Sequence, residues 1–286
     1  DSELDRLLEE ALPLLDRNVR VHPVLRASFL AILGDAGGAA DALTDLRRRG
    51  VLQMVIPEFD ALLRLAPADP SHQLTVGEHS IYAVRELGEM WRRRNEDEFL
   101  FTVWDGVEDV ELLVLGTLLH DVGKLQVGTD HSVSGEKMAR HIGDRLGLSS
   151  ERLDRVGLLV RRHLLLPRAA RLRDLSSPGT IRDVTEHVHD VPTLKMLYLL
   201  SLADTRAVGE RSYSPLEIEA MQDLYERVLM AMTSRETMEA LTDREMREQM
   251  IQRERNRLRR EMRNMEFDEE LLQRLSDSLP ASYVLN

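Results

Sequence analysis

A chain of 286 residues is long enough for one large domain or two modest ones, each able to bury a true core. It contains no cysteine, so disulfides and thiolate metal sites are excluded, and any metal must be held by His, Asp or Glu. The net charge of −12 argues against a general nucleic-acid binder, whose affinity would rest on surplus Lys and Arg; the lysines are only Lys124, Lys137 and Lys195.

Scarce aromatics, abundant Leu, Val, Met, Ala and Arg, and long 3.6-residue periodicities predict an all-α protein. No stretch has membrane-spanning length and apolarity and none resembles a signal peptide, so a cytoplasmic protein with no membrane partner is expected. Residues 2–17 and 24–33 read as short amphipathic helices joined by "NVRVHP", and residues 34–50 as a loop followed by a helix stopped at Gly50. The turn-rich "PADPSHQL" (67–74) predicts a boundary, giving an N-terminal helical cap over 1–70. Thr75 and Glu78 form a capping box ahead of a helix with Ile81, Val84 and Trp91 along one face.

Residues 95–106, "NEDEFLFTVWDG", read as an acidic connection, and "VEDVELLVLGTLLHD" as the nearly all-apolar central helix of a core. "LQVGTDHSVSG" (125–135) reads as a loop before the helix "EKMARHIGDRLG". Ser149 to Leu166 and Thr193 to Val208 predict two more apolar helices. Ser214, Pro215 and Glu217 form a second capping box. The principal domain is thus expected over 71–234, with a long, charged C-terminal helical extension over 235–286. Glutamates are interleaved through its arginine-rich run (252–263), which reads as a solvated face or a domain interface rather than a nucleic-acid contact.

The chemistry gathers in a few places. His79 lies in the first turn of a capped helix, His120 and Asp121 end the apolar helix, and His131 follows a glycine-bearing loop. His163 and Asp204 each fall seven residues after an apolar position, Val156 and Leu197, and so face the core. A buried carboxylate is costly unless paired or bound to a cation, and Asp204 has no Lys or Arg one turn upstream. A divalent ion between inward carboxylates and imidazoles resolves this, and such ligands suit Mn, Fe, Zn or Mg. The other histidines (His22, His72, His141, His187 and His189) are assigned no role.

The order His79, His120–Asp121, Asp204 resembles the pattern of the HD superfamily of metal-dependent phosphohydrolases, all-helical proteins named for that doublet. "HQLTVGEHS", "LLHDVGK", "DHSVSGE", "LVRRHLLLPRAARLRDLSSPGTIRDV" and "LYLLSLADTRAV" are similar to the uridylyl-removing HD domain of the bifunctional PII uridylyltransferase/uridylyl-removing enzymes. The resemblance implies an HD-domain helical bundle acting as a phosphodiesterase, with His79, His120, Asp121 and Asp204 as metal ligands for Mn²⁺ or Mg²⁺, and Fe²⁺ or Zn²⁺ as alternatives. It implies a second ion, bridged by Asp121 and held by His131 and a later His pair; here Arg162 takes the first position of that pair and His163 the second, pointing to one tight ion and a weak or substrate-assisted second.

Asp121 and Lys124 are then the candidate catalytic residues, with Lys124, Arg168 and Arg173 holding the substrate phosphate and Asp130 orienting an imidazole from behind. The implied substrate is a PII-type nitrogen-signalling protein carrying UMP on a tyrosine. Nucleotidyltransferase and ACT domains, part of those longer enzymes, are not found in the sequence, so an excised domain or a stand-alone relative is expected. Two alternatives accompany this reading: an HD phosphohydrolase of nucleotides or other phosphoesters, and a non-catalytic, metal-containing module that binds PII.

Overall fold

The computed structural model describes residues 6, 10, 17–66, 74–172, 174–175, 177–209 and 213–240. By its internal contacts the chain divides into two units, Asp1–Leu229 and Met230–Asn286, and the fold below is that of the first. Every element among the described residues is helical, as the composition and periodicity predict, and no strand occurs among them. Most of the helix expected over 2–17 and nearly all of the C-terminal extension lie outside the described residues.

Helix α1 (Pro23–Gly34) opens with proline at its first position, where no amide hydrogen is needed, and the His22 ring accepts from the Val24 amide. Helix α2 (Ala39–Arg48) stops as expected before Gly50, whose φ of 75° turns the chain into the short helices α3 (Val51–Val55) and α4 (Glu58–Leu62). Helix α5 (Val76–Arg93) begins at the capping box: the Glu78 amide donates to Thr75 Oγ at 3.2 Å and the Thr75 amide to Glu78 Oε2 at 3.1 Å. That box fixes the first turn of α5, and hence His79.

The acidic connection expected over 95–106 is instead a helix, α6 (Glu98–Asp105). Asp97 caps it by accepting from the Phe99 and Leu100 amides, and Leu100, Val103 and Trp104 are buried beneath its acidic start. Helix α7 (Val110–Leu119) is the centre of the core, with every residue from Leu112 to Leu119 buried. It packs against α1 and α5 and against two later helices, α9 (Ser150–Arg162) and α12 (Val191–Ala207), which explains why its sequence lacks a polar face.

Helix α8 (His131–Leu146) starts five residues before the expected Glu136, because Asp130 caps it by accepting from the Ser132 amide at 2.9 Å. Helix α9 ends at Arg162, before the expected Leu166, and α10 (Leu165–Leu172) follows after a turn. Pro167 has no N–H to donate to the His163 carbonyl, and the Ser201 hydroxyl of α12 donates to that oxygen at 2.9 Å instead. Helix α11 (Pro178–His187) precedes α12, and α13 (Pro215–Ala240) starts at the predicted capping box of Ser214 and Glu217.

Candidate metal centre

Six side chains from α5, α7, α8, α9 and α12 converge at one end of the bundle in two groups whose ligand atoms lie within 4.8 Å of one another: His79, His120 and Asp204, then Asp121, His131 and His163. His79 Nε2 lies 2.9 Å from Asp204 Oδ1. His120 Nε2 lies 3.3 Å from both Asp204 Oδ1 and Asp121 Oδ2. Asp121 also faces the second group, with Oδ1 3.8 Å from His131 Nε2 and 3.9 Å from His163 Nε2. It is the hinge between the two.

The two buried imidazoles are aimed by the same device. His120 and His163 are each the residue that ends a helix, and each ring bonds through Nδ1 to a carbonyl three residues back: Thr117 at 2.8 Å and Val160 at 2.7 Å. A carbonyl oxygen can only accept, so Nδ1 carries the hydrogen and Nε2 is presented to the carboxylates. His120 Nε2 is fully buried, and neither 3.3 Å contact has hydrogen-bond geometry. A nitrogen so fixed, off-line between two carboxylates, suits a shared cation, and a backbone-held imidazole is the usual support of a metal-ligating histidine. The donor set of imidazole nitrogens and carboxylate oxygens therefore fits a divalent transition metal or Mg²⁺.

Charge and burial compete across the cluster. Burial favours a neutral His120, but Asp121 and Asp204 outweigh it and raise the pKa of this imidazole well above the ordinary value. Burial also opposes ionisation of Asp121 and Asp204; His120 and Lys124 beside the first, and His120 and His79 beside the second, hold both well below the usual carboxylate range. His163 is pushed down to about 4 by burial and by neighbouring His120, so its ring is neutral near pH 7.

Every member of the cluster except His120 lines a cavity of about 500 Å³, whose lining also includes Leu74, Val76, Tyr82, Leu164 and Val208. Lys124 stands at this cavity with Nζ 2.5 Å from Asp121 Oδ2, while its side chain stays 43% exposed. Arg168 does not line the cavity; it lines the adjoining one, across Leu164. Arg173 and His72 lie outside the described residues. Asp130 is engaged with the amide and hydroxyl of Ser132, at 2.9 and 2.7 Å, and among the described residues no hydrogen bond joins it to an imidazole. Its hold on His131 runs through the helix start.

Sequence reasoning passed over Gly123, Thr117, Val160 and Ser201. A Cβ on Gly123 would overlap the His131 carbonyl oxygen and lie 2.5 Å from the Gly135 nitrogen, so the turn Val122–Leu125 sits directly on the first turn of α8. Ser134 Oγ donates to the Gly123 carbonyl at 3.1 Å and locks that contact. The only local signal for the carbonyl supports was a histidine at the end of an apolar helical run.

An all-helical bundle that gathers His, His–Asp and Asp from separate helices at a cavity defines the class, and comparison with known proteins agrees. The HD domain model matches residues 71–238, more than half of the chain. The chain belongs to the HD domain family. Curated relatives include bifunctional uridylyltransferase/uridylyl-removing enzymes from Cereibacter sphaeroides, 30% identical over 230 residues (79% of this chain, 24% of that protein), and Methylococcus capsulatus, 32% over 222 residues (77% and 25%). Another, from Caulobacter vibrioides, is 33% identical over 217 residues (75% and 23%). The chain spans about a quarter of the length of these relatives. Among the described residues no helix is long and apolar enough to cross a membrane.

Proposed function

We propose that this chain is a metal-dependent phosphodiesterase that removes UMP from a uridylylated tyrosine of a PII-type signalling protein. The observation that carries the hydrolase reading is the pair of three-ligand groups hinged on Asp121, opening to a cavity that also presents Lys124. The names of the relatives support removal of a uridylyl group, and the PII-type acceptor is what the sequence resemblance implies. The division into a cap over 1–70, a hydrolase domain over 71–234 and an extension over 235–286 belongs to the same proposal, and the span of the family match supports its middle part.

His79, His120 and Asp204 would hold one ion and Asp121, His131 and His163 a second, with Asp121 placed to serve both; Mn²⁺ and Mg²⁺ are the proposed ions. Such an ion supplies Lewis acidity to a phosphoryl oxygen and lowers the pKa of bound water. The protein's own groups do the rest. Lys124 offers three N–H donors beside Asp121, where they can bond a non-bridging phosphoryl oxygen and stabilise charge that grows as the ester bond breaks. The apolar wall of Val76, Tyr82, Leu164 and Val208 can receive a flat ring, the uracil or the tyrosyl group, and exclude water around it. Water adds to phosphorus, the bond from phosphorus to the tyrosyl oxygen breaks, and UMP and the free hydroxyl of the tyrosine are the products.

The test is release of UMP from uridylylated PII with added Mn²⁺ or Mg²⁺, comparing this chain with Asp121→Ala. Metal-dependent release that the substitution abolishes is the expected result. Absence of release from protein shown to bind metal, alongside turnover of other nucleotides or phosphodiesters, would overturn the PII reading and leave the hydrolase.

A further inference from the structure

A second cavity, of about 420 Å³, lies against the metal cavity, and Leu164 forms part of both walls. Arg161, Arg162 and Arg168 line it. Arg161 donates to Ser132 Oγ at 2.6 Å, and its contacts with Glu136 and Asp130 are long, at 3.8 and 3.9 Å. The Arg162 Nε is buried without a hydrogen-bond partner, and among the described residues no ion pair reaches either Arg162 or Arg168. Burial and adjacent Arg161 disfavour charge on Arg162, Glu136 and Asp183 favour it, and the net shift is downward, although the group remains a cation at neutral pH.

Among the described residues the carboxylates within ion-pair distance reach Arg161, at 3.8 and 3.9 Å, and not Arg162 or Arg168. Asp130 is occupied by Ser132, and Asp183 lies 3.6 Å from the His187 ring. Guanidinium groups crowded into a concave, partly desolvated site, in a protein whose overall charge is −12, are the arrangement that binds an oxyanion through paired N–H donors. The cavity also adjoins the metal cluster twice along the chain, since Asp130 precedes His131 and Arg162 precedes His163.

We propose that the cavity of Arg161, Arg162 and Arg168 is an anion subsite, which takes a carboxylate or phosphate group of the substrate while the scissile phosphodiester lies in the metal cavity. The part assigned to the substrate rests on the hydrolase reading above; the affinity for an oxyanion does not. A substrate with an acidic group near its phosphodiester would be selected over one without, because the subsite rewards that group with charge-assisted hydrogen bonds.

The experiment is calorimetric titration of chelator-treated, metal-free protein with inorganic phosphate and, separately, with succinate. Removing metal prevents either probe from being held by the ligand cluster, and the readout does not depend on turnover. The expected result is saturable binding that weakens by about tenfold or more in Arg162→Gln, is largely kept in Arg162→Lys, and survives in Lys124→Gln. Circular dichroism melting of each variant shows that the fold is kept. Preference for phosphate or for succinate identifies the group selected. No saturable binding of either probe, or binding lost in Lys124→Gln but unchanged in Arg162→Gln, would overturn the subsite. Phosphate binding with no hydrolase activity on any substrate would retain the anion site and remove the reaction.

Discussion

Gly123→Ala tests how the HD turn is held against α8. The added methyl would meet the His131 carbonyl oxygen, the Gly135 nitrogen at 2.5 Å and the Gly135 Cα at 2.8 Å. All three are backbone atoms, so no side chain can rotate aside, and the turn must lift from the helix. Overpacking of this kind costs about 1–3 kcal/mol, and a purely backbone clash belongs at the upper end. For a unit of this size about 3 kcal/mol lowers Tm by roughly 6–12 °C, read by circular dichroism or scanning calorimetry. The same displacement moves Asp121, two residues before Gly123, away from His131, which lies 3.8 Å from it. Calorimetric titration with Mn²⁺ should therefore show weakened binding, most at the group containing His131. A variant with Tm within about 1 °C of the parent and unchanged Mn²⁺ binding would refute this account of the close approach.

Lys124→Gln should keep Mn²⁺ binding and lower the rate of phosphodiester hydrolysis by about 10²-fold, because one donor to the developing charge is lost; a change confined to KM would contradict that role. In metal-free protein near pH 7 His120 carries a proton, since its pKa is raised well above the usual histidine value, and an incoming cation must displace it. Titrations with Mn²⁺ in buffers of different ionisation enthalpy should show about one proton released, and none would count against the assigned ligand. Glu58 accepts two hydrogen bonds from Arg145, at 2.8 and 2.6 Å, tying α4 to α8. Burial raises the Glu58 pKa, the Arg145 bonds outweigh it, and the net shift is downward. The stabilisation is therefore present above the unfolded value near 4.5 and is lost as pH falls below it. Glu58→Gln should lower unfolding free energy by about 1–2 kcal/mol at pH 7, with the gap closing toward pH 3 in urea titrations; a constant gap would exclude the linkage.

Much of the fold was legible because local rules and tertiary demands agree. The Thr75/Glu78 box, the apolar run over 112–119 and the Ser214 cap each produced the helix expected. The sequence misled where one local signal masked another. Acidic residues around Phe99 hid the apolar face of α6, Gly135 hid the early start of α8, and apolar residues on both sides of His163 hid the break that Pro167 imposes.

The candidate site divides in the same way. Residue type and spacing were enough to single out His79, His120, Asp121, His131, His163 and Asp204, because an inward carboxylate or imidazole without a local partner needs an explanation that sequence alone can pose. Helical periodicity can say that a side chain faces inward, but not which inward-facing groups share a point. Tertiary structure alone decided that the Thr117 and Val160 carbonyls aim two rings and that Arg168 belongs with Arg161 and Arg162 in the neighbouring cavity. Those relations depend on distances between helices far apart in the chain, and these are set by core packing, to which no single stretch of sequence has access.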